Sequence, residues 1–191
     1  TDWDTPQTVT VSAPHDDATG DASAQLTLSA TGLADRTVAI AIDDDDTQAI
    51  VVTPNPLSID ENGMTTCGVH LAFAPAAPLT VSISSLNGAV ATANQTELTF
   101  TAANYATDQP LIVSALDDLD AAVGATSIRL ESLAAGLSTD VPVTVIDDDV
   151  LLIETSTAAL TVGEAGQMTF GVRLTAQPLT TTAVMVTRPP L

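Results

Sequence analysis

The chain has 191 residues and sets four Arg and no Lys against 24 Asp plus Glu, a formal charge of −20. A surface of that sign repels phosphate backbones and argues against nucleic acid as a partner. Hydrophobic residues make up 45%, enough for a core, yet no run approaches the roughly 18 apolar residues that a membrane span requires.

The apolar positions are mostly Ala, Val, Leu and Ile, alternating with Thr and Ser, and only 3% of residues are aromatic. That mixture suits pleated strands and predicts an all-β chain. The opening Thr1-Asp2-Trp3-Asp4 has neither a basic region nor an apolar run, so no signal peptide is expected there. With one cysteine, Cys67, no intramolecular disulfide can form. Its alternating apolar setting predicts a buried structural thiol.

Self-comparison organises the rest. Leu57-Ser58-Ile59-Asp60-Glu61-Asn62-Gly63 matches Leu160-Thr161-Val162-Gly163-Glu164-Ala165-Gly166 at a shift of 103. The same shift carries Gly68-Val69-His70-Leu71 onto Gly171-Val172-Arg173-Leu174 and Pro75 onto Pro178. Trp3, Gln7 and Val11-Ser12-Ala13 match Tyr105, Gln109 and Val113-Ser114-Ala115 at 102, and Ala41-Ile42-Asp43-Asp44-Asp45 matches Val145-Ile146-Asp147-Asp148-Asp149 at 104. The period is therefore near 103. In chain order, residues 1–46 are expected to be the C-terminal half of one β-sandwich repeat, 47–149 a complete repeat, and 150–191 the N-terminal half of a third.

Within the complete repeat the alternation and turn residues predict immunoglobulin-like strands. Strand A is expected at Ile50 to Val52 and Leu57 to Ile59, broken by Pro54-Asn55-Pro56. B follows at Thr66 to Phe73 and C at Leu79 to Ser84. Asn87-Gly88 turns into D near Ala89 to Ala91, and an edge strand covers Glu97 to Thr101. E runs from Leu111 to Leu116, F from Ser127 to Leu133 and G from Val141 to Ile146. Almost no linker separates one repeat from the next, which predicts a stiff rod.

The acids bunch as Asp16-Asp17, Asp43-Asp44-Asp45-Asp46, Asp117-Asp118-Leu119-Asp120 and Asp147-Asp148-Asp149. Asp is common in turns because its side chain caps local N–H groups, and solvated turns account for any one cluster. They account less well for clusters recurring at one end. In a seven-strand sandwich the AB turn with Glu61, the EF turn with Asp117, Asp118 and Asp120, and the end of G with Asp147, Asp148 and Asp149 share one pole. Adjacent carboxylates repel one another, and a divalent cation relieves them. Calcium takes 6–8 oxygens, so these seven residues are the expected ligands of one or two ions. Asp16, Asp17, Asp43, Asp44 and Asp45 lack an AB glutamate of their own, so a weaker or absent ion is expected there. Glu164 likewise lacks EF and G partners.

A glutamate at the AB turn, an Asp-Asp-x-Asp EF loop and a terminal Asp run after an alternating strand together resemble the Calx-beta domain and related bacterial surface repeats. The stretch from Leu98 through Asn104-Tyr105, Gln109 and Val113-Ser114-Ala115 is similar to a segment common in those arrays, as are Trp3, Pro6-Gln7 and Val9-Thr10-Val11. The resemblance implies a Calx-beta-like sandwich binding calcium through Glu61, Asp117, Asp118, Asp120, Asp147, Asp148 and Asp149. The EF loop departs from the family by continuing as Ala121-Ala122-Val123-Gly124, without the glutamates often seen there, which argues against a full two- or four-ion cluster.

No phosphate loop, Cys pair or nucleophile–His–acid order is present, and no enzyme activity is expected. Two carboxylates can form a glycosidase pair, but these lie in turns without aromatic residues to hold a sugar. His70 aligns with Arg173, as a residue on an exposed strand face would, and His15 adjoins Asp16-Asp17. Trp3 and Tyr105 occupy equivalent places and are expected to share a packing role. The expected function is a calcium-binding structural spacer of an extracellular or cell-surface adhesin or fibre, partnered by neighbouring repeats. The alternatives are a filament subunit whose half-domains complement between copies, and a non-catalytic accessory module of a secreted enzyme.

Overall fold

The computed structural model describes residues 3–187. They form an all-β structure with no helix among them. The strands, in chain order, are β1 (Ala22–Leu28), β2 (Arg36–Ile42), β3 (Ile50–Thr53), β4 (Leu57–Asp60), β5 (Met64–Leu71), β6 (Leu79–Ser85) and β7 (Ala91–Ala93). They continue as β8 (Glu97–Phe100), β9 (Gln109–Ala115), β10 (Gly124–Ser132), β11 (Leu137–Ile146), β12 (Ile153–Thr155) and β13 (Val172–Leu174).

β3 to β11 make a two-sheet β-sandwich, with one sheet ordered β4-β11-β10-β6-β8 and the other β3-β5-β9-β7. Alternation decides which side chains face inward. In β11, Val141, Val143 and Val145 are buried while Pro142 and Thr144 are exposed. Val81 and Ile83 of β6 and Leu111 and Val113 of β9 meet them from their own strands in one apolar cluster. Every buried apolar residue of the described chain lies between Ile50 and Val145. Cys67 is among them, with its thiol 3.7 Å from the Leu111 carbonyl and raised in pKa by burial.

The Pro54-Asn55-Pro56 break carries the chain from one sheet to the other, so β3 pairs antiparallel with β5 while β4 lies parallel to β11. That parallel pairing sets Val143 opposite Leu57 and Asp60 opposite Ile146, bringing the β4–β5 turn to the end of β11. On β5, Gly68 leaves room for Asp108, whose carboxylate a Cβ there would meet at 2.6 Å. Asp108 in turn lies within hydrogen-bond distance, 2.8 Å, of His70 Nδ1 on the half-exposed strand face.

The terminal segments form two-stranded ribbons, β1-β2 and β12-β13. Their pairing refines the repeat. β1–β2 sets Ala22 opposite Ile42, as β10–β11 sets Gly124 opposite Val145, so Ile42 corresponds to Val145 and the shift there is 103, not 104. Asp44 is thereby the counterpart of Asp147. Tyr105 packs against the core and its carbonyl accepts the Leu71 N–H, whereas Trp3 is 87% exposed among the described residues.

Candidate metal centre

Glu61 sits on a tight turn. The Gly63 N–H donates to the Asp60 carbonyl at 2.8 Å, and Asn62 takes a positive φ of 56°. A Cβ on Gly63 would stand 2.6 Å from that carbonyl oxygen, so the turn closes only around glycine. Two further backbone bonds hold the turn in place: the Glu61 N–H donates to the Ile146 carbonyl at 2.9 Å, and the Ala115 N–H donates to the Gly63 carbonyl at 3.0 Å. The first ties it to the end of β11 and the second to the end of β9, so the turn lies where both acidic loops begin.

The acids converge as the threading requires. One carboxylate oxygen each from Glu61, Asp118 and Asp147 lies within 4.8 Å of the others, and a second such group joins Glu61, Asp117 and Asp148. Glu61 is only 8% exposed. Its Oε1 accepts the Asp118 N–H at 3.1 Å, while its Oε2 is buried without a partner, as is Asp147 Oδ2. Two buried carboxylate oxygens facing like charges without donors are costly unless a cation supplies the missing interaction. The donor set is all oxygen, which suits a hard divalent cation such as calcium.

Electrostatics agree with the geometry. Burial pushes the Glu61 carboxyl above its ordinary range; the Asp118 N–H opposes the rise, and the Asp147, Asp118 and Asp117 charges add to it. Asp149 is raised by burial and then by Asp147, Asp148, Asp117 and Asp118. On the sandwich's outer face Asp140 moves the other way, held down by two 2.9 Å bonds from Arg129.

These shifts set the pH dependence. A raised native pKa means that the folded state holds the proton more tightly, so the stability from protonating Glu61 and Asp149 is full below their unfolded values and is lost as pH rises through the folded ones. Asp140 has the opposite sign. Its contribution is present above its unfolded value, about 4, and is lost as pH falls through the lowered folded one. In chelator, lowering the pH from neutrality toward the ordinary carboxylate range should therefore raise the melting midpoint. With calcium present it should lower the midpoint, because protons compete for the ligands. Scanning calorimetry across pH checks both, and a midpoint in chelator that falls from the first acid step contradicts the reading.

Of the expected ligands, Glu61, Asp117, Asp118, Asp147 and Asp148 come together in the two groups. Asp149 adjoins them, donating its N–H to Asp147 Oδ1 at 2.8 Å. Asp120 caps its own loop instead: its Oδ1 accepts the Ala122 N–H at 2.8 Å and its N–H donates to Asp118 Oδ1 at 2.9 Å. Among the second set, Asp16 Oδ1 accepts the Ala18 N–H and Asp44 Oδ1 accepts the Asp46 N–H, repeating the loop bonds of Asp118 and Asp147. Asp16, Asp17, Asp43 and Asp44 lie in none of the metal-type groups. The group that does form there is His15, Asp45 and Asp46, with His15 Nδ1 3.8 Å from Asp45. Asp46 was not among the expected residues; the signal for it was its place two residues after Asp44, where Asp149 follows Asp147.

Each acidic loop also touches the following repeat. The Leu119 carbonyl accepts the Gln177 N–H at 2.5 Å, and the Asp17 carbonyl accepts the Ala74 N–H at 3.3 Å. Gln177 lies 103 residues after Ala74 and Leu119 lies 102 after Asp17, so the same joint occurs twice.

No protein-family model matches the chain, and no curated protein matches it. Solved structures show distant similarity. Domains 4 and 5 of the S-layer protein SbsC share 17% identity at a TM-score of 0.39, over 58% of this chain and 59% of that one. Domains 1–6 of surface layer protein SbsC share 19% at 0.40, over 71% and 18%. WR4, a C. elegans MSP family member, shares 14% at 0.36, over 51% and 96%. The chain thus spans under two thirds of either SbsC structure. Similarities this distant carry no function across to it, and the Calx-beta resemblance stands on its motif residues alone.

Proposed function

We propose that the protein is a calcium-binding structural spacer, a run of tandem β-sandwich repeats in an extracellular or cell-surface adhesin or fibre, with no catalytic role. The observation that carries the metal reading is the pair of buried, unpartnered oxygens, Glu61 Oε2 and Asp147 Oδ2, at the pole where Asp117, Asp118 and Asp148 converge. The spacer reading is supported by the joint, where the loop bearing those ligands bonds through Leu119 to the next repeat. A cation there neutralises the repulsion among the carboxylates and fixes the loop that makes the inter-repeat contact. Glu61, Asp117, Asp118, Asp147 and Asp148 hold the ion, and Asp149 adds negative charge beside it. The cell surface suits an ion held by exposed carboxylates, since calcium is abundant outside cells and such sites work at about 10⁻⁴–10⁻³ M.

Isothermal titration tests the assignment. Calcium is expected to bind the wild-type chain, and Glu61→Gln, which keeps shape and removes charge, is expected to weaken binding at this pole at least about tenfold, since a lost charge-assisted ligand contributes about 1.5–3 kcal/mol. Equal binding by the two proteins would sink the proposal.

A further inference from the structure

The acidic loops ahead of the central sandwich repeat the frame of the Glu61 pole with one change of donor. Three correspondences fix the alignment. The Ala18 N–H donates to Asp16 Oδ1 at 2.9 Å, as the Asp120 N–H donates to Asp118 Oδ1 at 2.9 Å. The Asp46 N–H donates to Asp44 Oδ1 at 2.9 Å, as the Asp149 N–H donates to Asp147 Oδ1 at 2.8 Å. The Asp17 carbonyl accepts the Ala74 N–H as the Leu119 carbonyl accepts that of Gln177. His15 therefore stands where the Glu61 pole has Asp117, and Asp45 where it has Asp148. The same two positions meet in both places. Asp117 and Asp148 share one metal-type group; His15 and Asp45 share another, with Asp46 as its third member and one donor atom of each within 4.8 Å of the others.

We propose that His15, Asp45 and Asp46 form a second metal site, one that selects a borderline divalent transition ion of the zinc type. Calcium is held by oxygen alone, whereas an imidazole nitrogen is a natural donor to zinc, nickel and copper. Zinc is bound by just this mixture of His nitrogen and carboxylate oxygen, and three protein donors leave its fourth position to water. The Glu61 pole offers only oxygen. A single exchange of Asp for His in a repeated frame thus gives the two poles different metals.

The surroundings suit a cation. His15 Nδ1 lies 3.8 Å from the Asp45 carboxylate. Burial raises the Asp46 carboxyl, His15 opposes the rise, and the Asp44, Asp45 and Asp17 charges add to it. A surface cavity of about 360 Å³, lined by His15, Asp16, Asp44, Asp45 and Asp46, opens beside the donors and has room for an ion with its waters. The chain's other histidine provides the contrast. His70 has one carboxylate, Asp108, 2.8 Å from its Nδ1, and it belongs to no metal-type group among the described residues. The proposed site shares no residue with the Glu61 pole, so it stands or falls apart from the calcium reading.

Nuclear magnetic resonance of the two imidazoles tests the proposal, with the 191-residue chain titrated by zinc chloride in excess calcium. One equivalent of zinc is expected to shift or broaden the His15 ring signals and to leave those of His70 in place. Movement of the His70 ring alone, or of neither ring, overturns the proposal. Isothermal titration in the same buffer is expected to show zinc binding weakened at least about tenfold by His15→Ala and by Asp45→Asn, since even a residue behind a ligand contributes about 10–100-fold. The His15 and Asp45 side chains are 72 and 91% exposed, so both variants are expected to keep the melting midpoint of the central sandwich. His15→Asp restores the donor of the Glu61 pole and is expected to lower the ratio of zinc to calcium affinity. Equal zinc binding by wild type and His15→Ala also overturns the proposal, because the ion then lies elsewhere.

Discussion

Calcium at about a hundredfold its dissociation constant should raise the melting midpoint of the central sandwich by about 10–20 °C over the same protein in chelator. A ligand at that excess adds about 2.7 kcal/mol to the folded state. For a domain of this size each kcal/mol moves the midpoint by roughly 4–8 °C. The shift should be this large because the acids belong to the fold: the Glu61 turn is bonded to Ile146 and Ala115, so an ion held there tightens β4, β9 and β11 together. Glu61→Gln separates the contributions. Its midpoint in chelator should lie above the wild-type value, since a buried carboxylate facing Asp147 is gone, and calcium should move it little. A wild-type midpoint that is the same in calcium and in chelator contradicts the metal assignment.

Phe100→Ala should destabilise the central sandwich by about 3–5 kcal/mol, the usual cost of emptying a buried aromatic site. Phe100 lies on β8, the outermost strand of its sheet, yet it is fully buried and packs into the single apolar cluster. It is the largest side chain in that core, and the rest is Val, Leu, Ile and Ala with one Cys, so no neighbour can fill the space. Trp3→Ala, at an 87% exposed position, should change stability by less than about 0.5 kcal/mol although it removes a larger ring. Urea unfolding measures both. A Phe100→Ala protein within about 1 kcal/mol of wild type would show that β8 contributes little to the fold.

The sandwich could be read from sequence strand by strand because its signals are local. Alternation in Leu79–Ser85, in Glu97–Phe100 and in the Val141–Ile146 run, and the Pro54-Asn55-Pro56 break, each act over a few residues. The differences arise where pairing, not composition, makes the strand. β11 begins at Leu137 rather than Val141, through the polar Ser138-Thr139-Asp140, because that segment pairs with β10 and Asp140 is gripped by Arg129. β7 falls at Ala91–Ala93 rather than Ala89–Ala91 because Asn87 spends the intervening residues on a turn, accepting the Ala89 N–H on its side chain and the Val90 N–H on its carbonyl. The alignment of Asp43 with Asp147 was one residue out. Within a run of four identical aspartates no side chain marks the register, and only the hydrogen-bond ladder does.

From the linear order of residues alone came the all-β character, the period near 103 and the list of acids gathered at one end, since each depends on spacing along the chain. Which carboxylates share a cage did not follow from spacing. Asp117, Asp118, Asp147 and Asp148 meet Glu61 because β4 runs parallel to β11 and the β9 end is bonded to the Glu61 turn. Asp120, inside the same sequence cluster, turns its oxygen to its own backbone instead. Carboxylate repulsion and desolvation act over a few ångströms in space, so the folded arrangement decided which carboxylates meet and left Glu61 Oε2 buried without a partner.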